Sequence, residues 1–394
     1  MMADKIIPMP SWRAMLSLGE KGVRRNLTNL MMHLRHLEGL GRSIRFNELS
    51  MQAEWNGHPM TEEDILDVRL IIEKAEFQPV DKDVRPAIMR LAHENSYHPV
   101  CDYLNGLTWD EKPRIDRWLH KLLGCPDTDY VRAISPKVLI SAVARAFAPG
   151  SQVDTMLVIE GDQGIKKSSA IKALFGEDFT YEIVSGFDDH RRLITNVIGA
   201  WAVELAEFVS VQRSSTGSVK GLVTIRRDRV QLPYARGLSD LPRRFIFIGT
   251  INPGASGYLD DDTGNRRYWP VTATKCDIDA IVSTRDQLWA EAVHRFRQGE
   301  RWWLDEGEAN IASHETQDRA SADPWVEILR HRLREHSLPY VTSTIALGRI
   351  GVPAERMDKA TEMRATACLK ALGYVRKKGR FEEGGNPIWA WVKP

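Results

Sequence analysis

The segment Gly161-Asp162-Gln163-Gly164-Ile165-Lys166-Lys167-Ser168 keeps three of the four fixed positions of G-x-x-x-x-G-K-[ST], with Lys166 standing where the second glycine belongs. The chemistry of that spacing is polyphosphate binding. Backbone N–H groups of a tight loop and of the following helix surround the phosphates, a lysine neutralises the β and γ charges, and a hydroxyl ligates Mg²⁺. Here Lys167 supplies the ammonium and Ser168 the hydroxyl, with Ser169 leading into the helix, so Gly161 to Ser169 form the expected ATP-binding set. Gly161 and Gly164 permit the turn. A side chain at position 166 resists the backbone conformation that a glycine there adopts, at a cost of about 1 kcal/mol or more. An attenuated or inactive hydrolase is one consequence of that substitution.

Trp201-Ala202-Val203-Glu204-Leu205-Ala206-Glu207 reads as an apolar strand ending in two carboxylates. A phosphoryl-transfer site needs one acid for the Mg²⁺ shell and one to activate water. Glu204 is assigned to the metal and Glu207 to the base, an order that the residues alone leave open. Phe245 to Asn252 is a second buried strand, and its polar end suits a sensor that positions the attacking water. Asn252 is the expected sensor, Thr250 the second choice. Gly264-Asn265-Arg266-Arg267-Tyr268-Trp269-Pro270 sets two arginines before another strand. Ring ATPases place such an arginine against the γ-phosphate of the neighbouring subunit, so Arg266 and Arg267 are both finger candidates, not separable by sequence.

Between acid and sensor lies a hairpin-like stretch dense in arginine: Arg226, Arg227 and Arg229, then Arg236. These residues are expected to track a DNA phosphate backbone in a ring channel. An arginine cluster serving the ATP site or a subunit interface is the competing reading, and Lys220, Arg243 and Arg244 share the ambiguity.

These groups need a scaffold. Thr155 to Glu160, Ile198 to Leu205, Phe245 to Ile251 and Tyr268 to Val271 are apolar runs that alternate with helical or irregular segments, which implies an α/β domain with a largely parallel sheet. Apolar residues spaced three and four apart from Trp12 to Ala92 predict a small helical domain, a collar or partner-binding piece whose His33 and His36 are surface groups. The expected division is residues 1–95, helical; 96–305, ATPase; 306–324, a polar linker; and 325–394, a terminal domain.

That last stretch carries ten Lys and Arg against five acids from Tyr340 to Pro394. Helical segments over 342–350 and 358–372, then strands at 374–378 and 388–392, predict a winged helix. Arg376, Lys377 and Lys378 on its wing are expected to bind duplex DNA; a packing or protein-contact role is the alternative.

At 394 residues, with 43% hydrophobic and 27% charged residues, the chain has the composition of a globular protein of two or three domains. Its net charge of +1 confines any attraction for nucleic acid to local patches. The four cysteines show neither zinc spacing nor a disulfide framework, and no apolar run is long enough for a membrane span, so a cytoplasmic protein with reduced thiols is expected.

From His98 to Ala273 the chain resembles the virulence-associated protein E family of phages and genomic islands. Those proteins are similar to superfamily 3 helicases and to the helicase part of poxvirus-type primase-helicases. The resemblance is carried by His98-Pro99 with Tyr103-Leu104, Trp109-Asp110 with Pro113-Arg114, the phosphate loop, Val203 to Glu207, Arg227-Asp228 with Pro233-Tyr234, Thr250 with Asn252-Pro253, and Gly264 to Arg267. It implies a P-loop core of the superfamily 3/AAA+-like type with ATP and Mg²⁺ as cofactors. The implied assembly is a homo-oligomeric ring, a hexamer, that moves on single-stranded DNA while a mobile element replicates in a bacterial host. No primase motif accompanies it, so a separate primase or replication initiator is an expected partner. An ATP-gated initiator or defence-type switch without productive unwinding is the alternative, favoured by Lys166. A metabolic kinase would need an acceptor pocket that no residue marks.

Overall fold

The structure, a computed structural model, describes residues 11–20, 22–184, 190–208, 219–231, 237–252, 267–317, 324–335, 338–381 and 387–393. The described residues fall into two compact units, one reaching to Thr316 and one beginning at Gln317.

After a 3-10 turn (Ser11–Met15) and a short antiparallel ribbon of Leu18–Gly19 with Gly22–Val23, the first unit forms α1 (Leu27–His36), whose N-terminus is capped by the Asn26 side chain. The chain then forms an antiparallel sheet of β1 (Ile44–Asn47), β2 (Gln52–Trp55) and β3 (His58–Pro59). Helices α2 (Glu62–Lys74) and α3 (Asp81–Glu94) follow. The segment expected to be a small helical domain thus holds α1 to α3 and, beyond that expectation, a three-stranded sheet. Ile44 and Phe46 are buried and Arg45 is exposed, the period of two that a half-buried strand requires. The turn from β2 to β3 is made by Asn56 and Gly57, with φ of 53° and 86°, the Asn-Gly pair that two-residue hairpins favour. His33, expected at the surface, is buried, its ring stacked on Phe77 at 4.3 Å, and burial lowers its pKa.

Next come α4 (Pro99–Gly106), α5 (Trp118–Leu123) and α6 (Asp129–Phe147). Helix α6 is buried along most of its length, Lys137 and Arg145 included, and has no separate polar face, as in a core helix. The central sheet is parallel throughout and uses β4 (Met156–Glu160), β5 (Thr180–Ile183) and β6 (Ala202–Leu205). It also takes in β9 (Ile246–Ile251) and β10 (Tyr268–Thr272), in the spatial order β10-β4-β9-β6-β5. Helices α7 (Lys167–Phe175), α8 (His190–Asn196) and α9 (Val219–Thr224) lie between strands in the chain. A separate antiparallel hairpin, β7 (Arg227–Val230) with β8 (Ser239–Pro242), precedes β9. Helix α10 (Ile278–Arg297) packs against α6 and α7, where Phe175, Trp201 and Trp289 meet with ring centroids 4.3 to 5.1 Å apart.

The stretch expected to be a linker is largely α11 (Glu306–Gln317). Asp305 and Glu308 bond reciprocally to each other's backbone N–H, Ala312 joins the core of this unit, and Lys137 pairs with Glu308 at 3.2 Å. A polar sequence with one apolar anchor and a capping box forms a surface helix rather than a tether.

The second unit contains α12 (Pro324–Glu335), α13 (Ser343–Ile350) and α14 (Lys359–Ala371), followed by an antiparallel hairpin of β11 (Val375–Gly379) and β12 (Ile388–Val392). Val341 bridges to Trp391, and both pack with Leu329, Leu347 and Leu369 in a core of their own. No helix among the described residues is long and apolar enough to cross a membrane.

Candidate nucleotide site

The order of the sheet explains why the predicted chemistry converges. Strand β4 delivers the Gly161–Ser168 loop, β9 beside it ends one residue before Asn252, and β6 on the far side of β9 carries Glu204. The loop is pinned where it leaves β4: Gly161 N–H donates to Ile251 O at 3.2 Å and Ala273 N–H donates to Glu160 O at 2.7 Å. A side chain at Gly161 would meet Ala273 O and the Ile165 side chain at 2.5 Å, so the strand exit admits glycine alone. Asp162 and Gln163 follow in the loop, and Gly164 turns it at φ 90°.

Lys166 takes the left-handed conformation, φ 69° and ψ 37°, immediately before α7. This is the geometry for which a glycine is usual, here held by a lysine. Among the described residues no side chain caps α7, so the N–H groups of its first turn, Lys167 to Ser169, face the loop at the positive end of the helix dipole.

Lys167 is buried, and its ammonium donates to Gly161 O at 2.6 Å, Asp162 O at 3.0 Å and Asn252 Oδ1 at 3.1 Å. Burial lowers its pKa, opposed by Cys276, Asp162 and Glu204 nearby. Residues from two adjacent strands thus meet on one cation.

Glu204 is fully buried. Its Oε1 accepts from Ser168 Oγ at 2.7 Å and from Thr250 Oγ1 at 2.8 Å, while Oε2 has no partner among the described residues. Burial raises its pKa, the two hydroxyl donors oppose the rise, and Glu182, its register partner on β5, adds to it. An unpartnered carboxylate oxygen in a buried position costs free energy unless something binds it. Hard oxygens from a hydroxyl and a carboxylate, with no thiol or imidazole among them, fit Mg²⁺, which keeps waters and takes one or two carboxylates beside substrate phosphates.

Glu207 is exposed in the turn directly after β6 with φ 48°, a strained setting for a residue other than glycine, and among the described residues no hydrogen bond joins it to this cluster. The geometry therefore places Glu204, not Glu207, against Ser168. Thr250, the second choice as sensor, belongs to the acid, and Asn252 to the lysine. Arg267 directly precedes β10 and is partly buried, while Arg266 lies outside the described residues.

Of the arginines expected to track DNA, Arg226 Nε is bonded to Gly150 O at 2.8 Å. Arg227 pairs across the hairpin with Asp240 at 2.8 Å, and Arg229 is exposed. Arg236 lies outside the described residues; the hairpin that is seen pairs β7 with β8, which follows Arg236 in the chain. The ambiguity over Arg243 resolves to structure, since it is buried in a two-pronged ion pair with Asp228 at 2.6 and 2.9 Å. In the second unit Arg376, Lys377 and Lys378 are all exposed on β11.

Sequence reasoning missed β5 and with it Glu182; alternation of Thr180, Tyr181, Glu182 and Ile183 was the available signal. It also missed Ala273 as the wall of the loop, a contact that no local pattern encodes.

Residues 104–321 match the family model described as the virulence-associated protein E-like domain, more than half of the 394-residue chain. No curated protein matches the sequence. Among solved structures the chain is similar to the A form apo structure of the NrS-1 C-terminal region, with 11% identity and a TM-score of 0.47 over 89% of this chain and 96% of that one. A second structure of that region gives 13% identity and a TM-score of 0.41, covering 74% and 78%.

Proposed function

The chain belongs to the virulence-associated protein E-like family, and from that premise together with the site geometry we propose that it is a Mg²⁺-dependent ATPase that moves along DNA in the replication of a phage or mobile element. The observation that carries the reading is the meeting of Ser168, Thr250 and Asn252 with Lys167 and the half-satisfied Glu204 at one end of a parallel sheet.

In this reading Gly161 to Ser169 cradle the triphosphate with backbone N–H groups. Lys167 exchanges its bonds to the loop carbonyls for the β- and γ-phosphate oxygens, a charge-assisted interaction roughly twice as strong as a neutral one. Ser168 and Glu204 hold Mg²⁺, which supplies charge neutralisation of the phosphates. Glu207 takes the proton of the attacking water, and Asn252 orients that water while sensing the γ-phosphate through Lys167. Arg266 or Arg267 acts on the site of an adjacent copy in a hexameric ring. Arg226, Arg227, Arg229 and Arg236 follow the single strand, and the second unit is a winged helix that holds duplex DNA through Arg376, Lys377 and Lys378.

Steady-state ATP hydrolysis with and without single-stranded DNA tests the proposal. Turnover should rise several-fold with DNA and fall by at least about 100-fold in Lys167→Ala, because the lysine is the principal counter-charge. Tight ATP binding with no turnover in the wild type would instead favour the ATP-gated switch, for which the strained Lys166 is the supporting observation.

A further inference from the structure

Residues paired across an antiparallel ladder share a face, and so do residues two apart along one strand. In the β11–β12 hairpin Arg376 lies opposite Trp391 and Lys378 opposite Trp389, so all four side chains belong to one face. Trp391 is 6% exposed and serves the core of its unit, whereas Trp389, two residues nearer the tip, is 54% exposed. The Arg376 guanidinium sits over the Trp389 ring, 4.7 Å from its centroid.

Leaving a tryptophan in water forgoes burial free energy of about 2 kcal/mol or more. Sequence position does not force that exposure, because the same strand buries Trp391. The neighbours on this face are cations, and β11 and β12 contain no acid; Glu382 and Glu383 lie between the strands in sequence. An exposed indole with a guanidinium on one face and an ammonium across the ladder combines a stacking surface with charges complementary to phosphate.

We propose that Trp389 is a stacking platform for an unpaired nucleobase at a single-strand to duplex junction, with Arg376 and Lys378 contacting the phosphates that flank that base. The ligand chemistry is a planar π-system joined to anionic groups, which only nucleic acid among macromolecules presents in series. The inference rests on the reading of this hairpin as DNA-binding and deepens it: backbone cations alone would hold a duplex, while the indole selects the place where the duplex opens.

Forked DNA carrying 5-iododeoxyuridine beside the junction, bound to the full chain and irradiated with long-wavelength ultraviolet light, should crosslink to the peptide containing Trp389. Trp389→Ala should weaken binding to the fork by about ten-fold, as expected for loss of one base–aromatic stack, while blunt duplex of equal length is bound within about two-fold of wild type. Trp389→Phe should retain most of the fork affinity. Crosslinking elsewhere, unchanged fork affinity in Trp389→Ala, or equal loss for fork and blunt duplex would overturn the stacking role. The parent reading fails separately, when the combined Arg376→Ala, Lys377→Ala and Lys378→Ala variant binds blunt duplex as the wild type does.

Discussion

Lys166 stores strain in the Gly161–Ser168 loop, since left-handed backbone costs a residue with a Cβ roughly 1–2 kcal/mol and its φ is 69°. The loop retains the conformation because Gly161 is clamped between the ends of β9 and β10 and because α7 begins at the next residue. Glycine should relieve the strain and valine should worsen it. Lys166→Gly is expected to leave stability unchanged or raise it by up to about 1 kcal/mol, and Lys166→Val to lower it by about 1–2 kcal/mol, read from urea midpoints. If strain also slows hydrolysis, turnover rises in the glycine variant; a valine variant as stable as wild type would contradict the strain argument. At this scale the sequence was informative where chemistry depends on residue type and local spacing, as for Lys167, Ser168 and Glu204. It was silent on which hydroxyl meets which acid. Thr250 reaches Glu204 because Ile248 is the register partner of Glu204 across β9 and β6, and register between strands far apart in sequence is set by the packed sheet.

His98 shows how an element boundary can become sensitive to acid. Its Nδ1 accepts from Cys101 N–H and so caps α4, while its buried Nε2 finds no partner among the described residues. Burial, with Arg244 nearby, lowers its pKa from 6.5 to about 4. A folded-state value below the unfolded one means that the unfolded chain takes up the proton first as pH falls. The stability contribution is therefore complete above pH 6.5 and is lost as pH falls from 6.5 towards 4. His98→Asn keeps a side chain suited to helix capping and removes the titration. Wild type should be the more stable at pH near 7.5, and that advantage should shrink by roughly 2 kcal/mol by pH near 4.5; chemical denaturation at the two pH values measures it, and an unchanged difference would exclude His98 as the titrating group. The elements themselves were legible where apolar residues run on without a break, as in α6, β4 and β9. They were missed where they were short and half-exposed. Strand β5 is four residues with one fully buried side chain, and the Asn56-Gly57 hairpin sits within a segment whose helical spacing dominates the pattern.

Across whole molecules, the decisive question is whether one copy of the chain holds a complete site. Lys167, Ser168, Glu204, Thr250 and Asn252 are joined by hydrogen bonds within one chain, whereas no described contact brings Arg267 into that group. An arginine supplied by a neighbouring copy predicts a specific pattern in mixtures. Lys167→Ala alone should be inactive for want of the phosphate lysine, and the combined Arg266→Ala, Arg267→Ala variant should be inactive for want of the finger. When the two are mixed equally, the lysine of one kind of subunit can face the arginines of the other. In a randomly assembled ring about a quarter of the interfaces then contain both intact halves, so hydrolysis should recover to that order of the wild-type rate if interfaces act independently, and to less if they fire in concert. Recovery should vanish on dilution below the concentration at which copies associate. A mixture as inactive as its parts, under conditions where sedimentation shows the two variants assembled together, would mean that the arginines act within their own chain or not at all, and the shared-site ring would have to be abandoned.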